Sequence, residues 1–128
     1  MVEKIWSDKY PEGVTSDIQY GDYESVLDVF ENACKKFADR PAFHNMGVSI
    51  TYGELDKLSA DFAAYLQHHT TLVKGDRIAV QMPNLIQYPI VIFGALRAGM
   101  VVVNTNPMYT TREMEHQFND AGCKALVA

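Results

Sequence analysis

From Arg77 onward, short apolar runs alternate with helical patterns, and this alternation constrains the fold more than any other feature of the chain. Arg77–Gln81, Met100–Val103 and Lys124–Ala128 read as strands, and Met100–Val103 is wholly apolar. Between them lie two segments with helical spacing. Strands that are apolar throughout, rather than at every second residue, have both faces covered. Alternating with helices, they predict a parallel sheet with helices on its faces.

Local chemistry places the helices. Pro83-Asn84 breaks the first strand, and Asn84 is a candidate cap for a helix ending near Ala98, before Gly99. Pro89 sits awkwardly there, because beyond the first turn a proline removes a backbone hydrogen bond. The expectation is a kink near Pro89 or a regular helix that begins later than Asn84. Gly99 is expected to stop this helix and let it pack closely on the sheet. Thr110-Thr111-Arg112-Glu113 is a capping box, in which a hydroxyl and a carboxylate satisfy each other's backbone amides. The helix it starts carries Met114, Phe118 and Ala121 on one face and ends at Gly122. The whole stretch Leu85–Val103 is long and apolar enough to suggest a membrane span. Gln87, Pro89, Gly94, Arg97 and Gly99 interrupt it, and a helix followed by a buried strand is the better reading.

Upstream, Ser25 can cap a helix running to about Ala38, with Val26, Leu27, Phe30, Ala33, Cys34 and Phe37 on its apolar face. Pro41 blocks further helix. Ala42–Asn45 and Val48–Ile50 then form a hairpin about a tight turn at Gly47. Thr51-Tyr52-Gly53-Glu54 is another capping box. Its helix shows Leu55, Leu58, Phe62 and Leu66 on one face, and the loop His68–Gly75 follows. Residues 1–22 are polar and aromatic, broken by Pro11, Gly13 and Gly21, and read as an irregular arm lying on a surface. The expected organisation is an arm over residues 1–24 and an α/β subdomain over residues 25–128. The chain stops within or just after its last strand, which points to truncation at Ala128.

Composition narrows the function classes. The chain has 128 residues, 48% apolar and 21% charged, with a net charge of −5. The apolar share suffices for a core. The acidic balance argues against nucleic acid, which demands a concentrated basic face, and Lys35-Lys36 is the longest basic run. Met1-Val2-Glu3-Lys4 does not begin a signal peptide. Cys34 and Cys123 stand far apart in apolar contexts. They are expected to be reduced buried thiols, with a disulfide between them as the alternative. A cytoplasmic location follows.

No catalytic constellation emerges. His68-His69 are adjacent rather than four apart on a helix, so they do not form a metal pair, and His44 and His116 have no patterned partner. No dinucleotide fingerprint or GxxxxGK[ST] loop is present, and Ser25, Ser49 and Ser59 lack a nucleophile elbow. The Asn104–Tyr109 loop leaves the end of a parallel strand, where α/β sites tend to form. A supporting role is expected for it.

Gly75–Val127, GDRIAVQMPNLIQYPIVIFGALRAGMVVVNTNPMYTTREMEHQFNDAGCKALV, resembles the start of the large domain of adenylate-forming enzymes. These include acyl-CoA synthetases, luciferases and peptide-synthetase adenylation domains. ITYGEL, Ile50–Leu55, resembles the first recurrent motif of that superfamily, and LRAGMVVVNTNP, Leu96–Pro107, the second. IWSDKYPEGV, ADRPAFHNMG and FAAYLQ are similar to segments of bacterial long-chain fatty-acid–CoA ligases. VVVNTNP stands where peptide-synthetase domains have a YVPxDP-like ending, which favours the acyl-CoA branch.

The resemblance implies a fold and a reaction. The fold is the N-terminal part of the adenylate-forming large domain. The reaction is formation of acyl-CoA from a long-chain fatty acid, ATP and coenzyme A, through an acyl-adenylate and with magnesium. The family's phosphate loop ending in lysine, adenine-site motif, ribose-binding aspartate and C-terminal lysine have no counterpart in this sequence. No catalytic, cofactor-binding or metal residue is therefore carried over, and this segment alone is expected to be inactive. Peripheral association with the inner face of the membrane would suit such a substrate, and a cut sheet would favour self-association. The rivals are another acyl- or aryl-CoA ligase and a free-standing interaction or dimerisation module.

Overall fold

The computed structural model describes residues 5–15, 17 and 21–128. Four helices and five strands follow in chain order: α1 (Val26–Lys36), β1 (Pro41–Asn45), β2 (Val48–Thr51), α2 (Tyr52–His69), β3 (Arg77–Val80), α3 (Gln87–Arg97), β4 (Val101–Asn104), α4 (Thr111–Ala121) and β5 (Cys123–Val127). Among the described residues of the N-terminal arm, Ser7–Lys9 form a 3-10 turn. Residues 1–4, 16 and 18–20 of the expected arm lie outside the described residues.

The sheet is parallel, as the alternation predicts, with strand order β4-β3-β5. β3 is central, and Ile78, Ala79 and Val80 are at most 1% exposed. Ile78 packs with Ala63 and Leu66 of α2, with Ala95 of α3, and with Ala98 and Met100 beyond it; Val102, Ala125 and Val127 lie against this cluster. The connection through α3 leads to one side of β3, and the connection through α4 passes back to the other. By the general right-handedness of such crossovers, connections that move in opposite directions put their helices on opposite faces of a sheet.

A second cluster joins Phe30 and Cys34 of α1 to Ile50 and Leu55. Phe30 stacks on Phe93 of α3 with centroids 3.8 Å apart. Arg97 closes the same junction. Its guanidinium pairs with Asp56 of α2, lies 3.6 Å from Glu31 of α1, and sits over the Phe30 ring at 5.3 Å. One cation thus ties three helices together.

Both capping boxes form. Glu54 N donates to Thr51 Oγ1 at 3.1 Å, and Thr51 N donates to Glu54 Oε2 at 2.8 Å. Thr110 and Glu113 repeat the arrangement, and Ser25 caps α1 by accepting from Asp28 N. The hairpin turn holds Met46 at φ 49 and Gly47 at φ 82, the paired positive angles that suit a two-residue turn to the strand twist. Gly99 (φ 78) and Gly122 (φ 66) follow α3 and α4 in the left-handed conformation, which suits the helix stops expected there.

Several expectations are corrected. Asn84 does not cap α3. That helix begins at Gln87, and Ile86 precedes it without a side-chain cap. Pro89 explains the late start. As the third helical residue it lies in the first turn, where an amide has no intrahelical partner to lose. His68 and His69 belong to the last turn of α2, because the helix runs to His69 with Thr70 as its C-cap. The buried face of α2 is Leu55, Ser59, Ala63 and Leu66, while Leu58 is 39% exposed. Val26, at the exposed start of α1, is also outside the core. Gly99 approaches the Lys74 side chain rather than the sheet. The close approach belongs to Gly94, where α3 crosses α2.

Candidate functional site

The carboxyl ends of β3 and β4 form a rim where polar side chains from separate segments meet. Residues 81–86 leave β3 there, and residues 105–110 leave β4. Thr105, 5% exposed, extends the β4 pairing by donating its amide to Val80 O at 3.0 Å. Gln81 N donates to Val127 O at 2.8 Å, so this end of the sheet is fixed on both sides of β3.

The β4–α4 loop is held almost wholly by polar contacts. Asn106 Oδ1 accepts from Met108 N at 2.9 Å, and Tyr109 N donates to Asn106 O at 3.0 Å. Gln81 Nε2 donates to Asn106 O at 3.3 Å. Gln117 of α4 donates through Nε2 to Asn104 O at 3.1 Å, while its Oε1 is buried without a partner. Tyr88, from the first turn of α3, donates its hydroxyl to Asn104 Oδ1 at 2.7 Å. Met108 stands 84% exposed at the loop's tip.

These groups are neutral amides and hydroxyls. They can orient a ligand or a loop, but none is a nucleophile or a base. The neighbouring α4 N-terminus is already closed by its own capping box, in which hydrogen bonds from the Thr110 backbone and hydroxyl hold the Glu113 carboxyl below its usual range. Among the described residues no group of three or more His, Cys, Asp or Glu could hold a metal ion.

The histidines and cysteines do not form a cluster among the described residues. His44 contacts Ser49 Oγ at 2.7 Å on the hairpin, His68 and His69 end α2, and His116 lies on α4. Cys34 and Cys123 are both free thiols; Cys34 is buried and Cys123 only half-buried. Burial pushes both thiols up, with Asp56 adding to the effect at Cys34 and Arg77 opposing it at Cys123. Both are therefore poor nucleophiles. No helix among the described residues is long and apolar enough to cross a membrane.

The Tyr88–Asn104 and Gln117–Asn104 contacts were not foreseeable from spacing, since they join residues of different elements. The position of Asn104 at a strand's carboxyl end was the only signal.

Comparison with known proteins places this architecture. Residues 30–128 match the family described as AMP-binding enzyme. A long-chain-fatty-acid–CoA ligase of Yersinia pestis is 53% identical over 126 residues, covering 98% of this chain and 22% of that protein. The Bacillus subtilis protein of the same name is 32% identical over 125 residues, again 98% of this chain and 22% of the relative. Among solved structures, the N-terminal subdomain of Klebsiella oxytoca NpsA superposes with a TM-score of 0.78 at 28% identity, covering 83% of this chain and 28% of that one. The chain thus spans about a fifth of the length of the curated relatives it matches. With the family matching from Phe30 to Ala128 and the parallel sheet shared with an adenylation subdomain, the chain belongs to the AMP-binding enzyme family.

Proposed function

We propose that this chain is the N-terminal scaffold of a long-chain fatty-acid–CoA ligase, with residues 1–24 as an arm and residues 25–128 as the α/β subdomain. The single observation that carries this reading is the 53% identity to a long-chain-fatty-acid–CoA ligase over nearly the whole chain. In the reaction, a fatty-acid carboxylate oxygen attacks the α-phosphorus of ATP. The bond to the bridging oxygen breaks, and pyrophosphate leaves. The sulfur of coenzyme A then attacks the acyl carbon of the adenylate, AMP departs with the oxygen, and the thiol proton is released.

Such chemistry depends on groups that orient the phosphates and neutralise developing charge. The rim around Asn104 offers neutral hydrogen-bonding groups only, which supports a division of labour. This segment supplies the rigid sheet end, and other parts of the ligase supply the cationic groups and the magnesium site. The half-exposed Val101 and Leu126 on the edge strands support self-association of the isolated 128 residues. The ligase works in the cytoplasm, against the inner face of the membrane where its substrate partitions.

The test is a thioester assay on the full-length protein with palmitate, ATP and coenzyme A. Palmitoyl-CoA and AMP in equal amounts are expected. Turnover of an aryl acid such as benzoate in preference to palmitate would move the protein to another branch of the family. Calorimetry on residues 1–128 alone should show no binding of Mg-ATP, and micromolar affinity would overturn the scaffold reading.

A further inference from the structure

We infer that Asn104 is a ligand-contacting residue, whose side-chain NH2 donates a hydrogen bond to an oxyanion of a bound substrate, and that Tyr88 is the positioning residue that aims it. The inference rests on the proposed ligase reading for its choice of substrates.

Asn104 is the last residue of β4, at the carboxyl end of the sheet, where α/β folds place their ligands. Its carboxamide has an acceptor end and a donor end. The acceptor, Oδ1, is taken by the Tyr88 hydroxyl at 2.7 Å. The donor, Nδ2, has no protein partner among the described residues, and the residue is solvent-exposed. A planar amide pinned at its oxygen cannot rotate without breaking that bond. Its two N–H groups are therefore restrained in direction, on a solvent-exposed residue.

The backbone beneath is fixed as well. Gln117 donates to Asn104 O, and Asn104 pairs with Val80 in the β3–β4 register. The following residue, Thr105, is buried and bonded to Val80 O. The backbone of Asn104 is thus fixed by α4 and β3, and its carboxamide by α3. As a stabilising device this arrangement would contribute little, because an exposed hydroxyl–amide pair exchanges almost evenly with water. As a preorganised donor it has a purpose: orientation that is already fixed need not be imposed when the ligand binds. An N–H donor of this kind matches an oxyanion, and the proposed reaction offers two, the carboxylate of the fatty acid and a phosphate of the nucleotide.

Two variants of the full-length protein separate the roles. Asn104→Asp keeps the shape and the acceptor for Tyr88 but replaces the donor by a negatively charged oxygen. Tyr88→Phe keeps the ring and releases the amide. Steady-state kinetics with palmitate and with ATP varied in turn, alongside melting temperatures, form the readout. Asn104→Asp should raise one KM by about tenfold or more at unchanged melting temperature. Tyr88→Phe should raise the same KM by about two- to fivefold. A rise confined to ATP assigns the oxyanion to phosphate, and a rise confined to palmitate assigns it to carboxylate. Both KM values within twofold of wild type in both variants would overturn the inference, as would losses that merely track a falling melting temperature. If Asn104→Asp does not fold, Tyr88→Phe decides alone. If the wild-type protein makes no acyl-CoA, the ligase reading fails, and calorimetry of ATP and palmitate binding to wild type and to Tyr88→Phe still judges Asn104.

Discussion

Gly94 of α3 crosses α2 so closely that a Cβ on it would lie 2.8 Å from the carbonyl oxygen of Ser59. The same Cβ would lie 2.8 Å from Phe62 Cδ1. Ser59 is itself fully buried, its hydroxyl turned back to Asp56 O at 2.9 Å. Two helices meet here at small residues, in the most extensive helix–helix contact among the described residues. The backbone oxygen of α2 cannot withdraw without moving the helix. Gly94→Ala should therefore destabilise the protein by about 1–3 kcal/mol despite the better helix propensity of alanine. Chemical denaturation of the variant, with an unchanged midpoint, would show that the crossing has slack.

Gly99 tests a different constraint. Its φ of 78 lies in the left-handed region, and a Cβ would also meet Lys74 Cγ at 2.9 Å. The lysine stem can move, so backbone strain dominates. Gly99→Val should cost about 1–3 kcal/mol, since a β-branched residue tolerates this conformation least. Gly99→Asn should recover much of that loss in the same melting experiment, because asparagine enters the left-handed region more readily.

The two capping boxes permit an internal comparison. Thr51→Ala and Thr110→Ala should each cost about 0.5–2 kcal/mol. The loss at Thr51 should register in global unfolding, because α2 carries Leu55 and Leu66 into both core clusters. The loss at Thr110 should appear mainly as faster hydrogen exchange within α4, which has no fully buried residue. Equal global destabilisation by both variants would contradict this hierarchy.

Glu113 makes the α4 cap sensitive to acid. Its folded-state carboxyl is held below the usual range by the Thr110 amide and hydroxyl. A depressed pKa means that the stabilisation is complete above the unfolded-state value and is lost as pH falls through the folded-state value. The α4 amides should thus lose protection in moderate acid, and Glu113→Gln should flatten that dependence. A carboxyl carbon titration by NMR that gave Glu113 an ordinary or raised pKa would refute the assignment.

What the sequence disclosed and what it hid divide along a physical line. The capping boxes, the Gly47 turn and the Gly122 stop depend on residues a few positions apart, and each was legible. The parallel sheet was legible too, because continuous apolar runs record burial on both faces. The misreadings were tertiary. Leu58 has the spacing of a core residue, yet the α2 face that is buried is the one with Ser59 and Ala63, small enough to admit α3. Asn84 has the chemistry of a cap and does not act as one, while the later helix start that Pro89 suggested is observed at Gln87. At the candidate site, Asn104 could be placed at a strand end. Its partnership with Tyr88 could not be read, because no local rule joins residues from different turns of the fold.

The strand order has a kinetic consequence. The β1–β2 hairpin closes through two residues and can form as soon as its own segment is available. β3 is made early in the chain but occupies the centre of its sheet, and its neighbours arrive only after α3 and α4 have been built. Until Val101 and then Cys123 come alongside, both edges of β3 carry unpaired backbone groups. Sheet assembly is therefore the slow, loop-closing stage of folding, and a nascent chain that stalls before β5 exposes the stretch that is most completely buried in the finished fold.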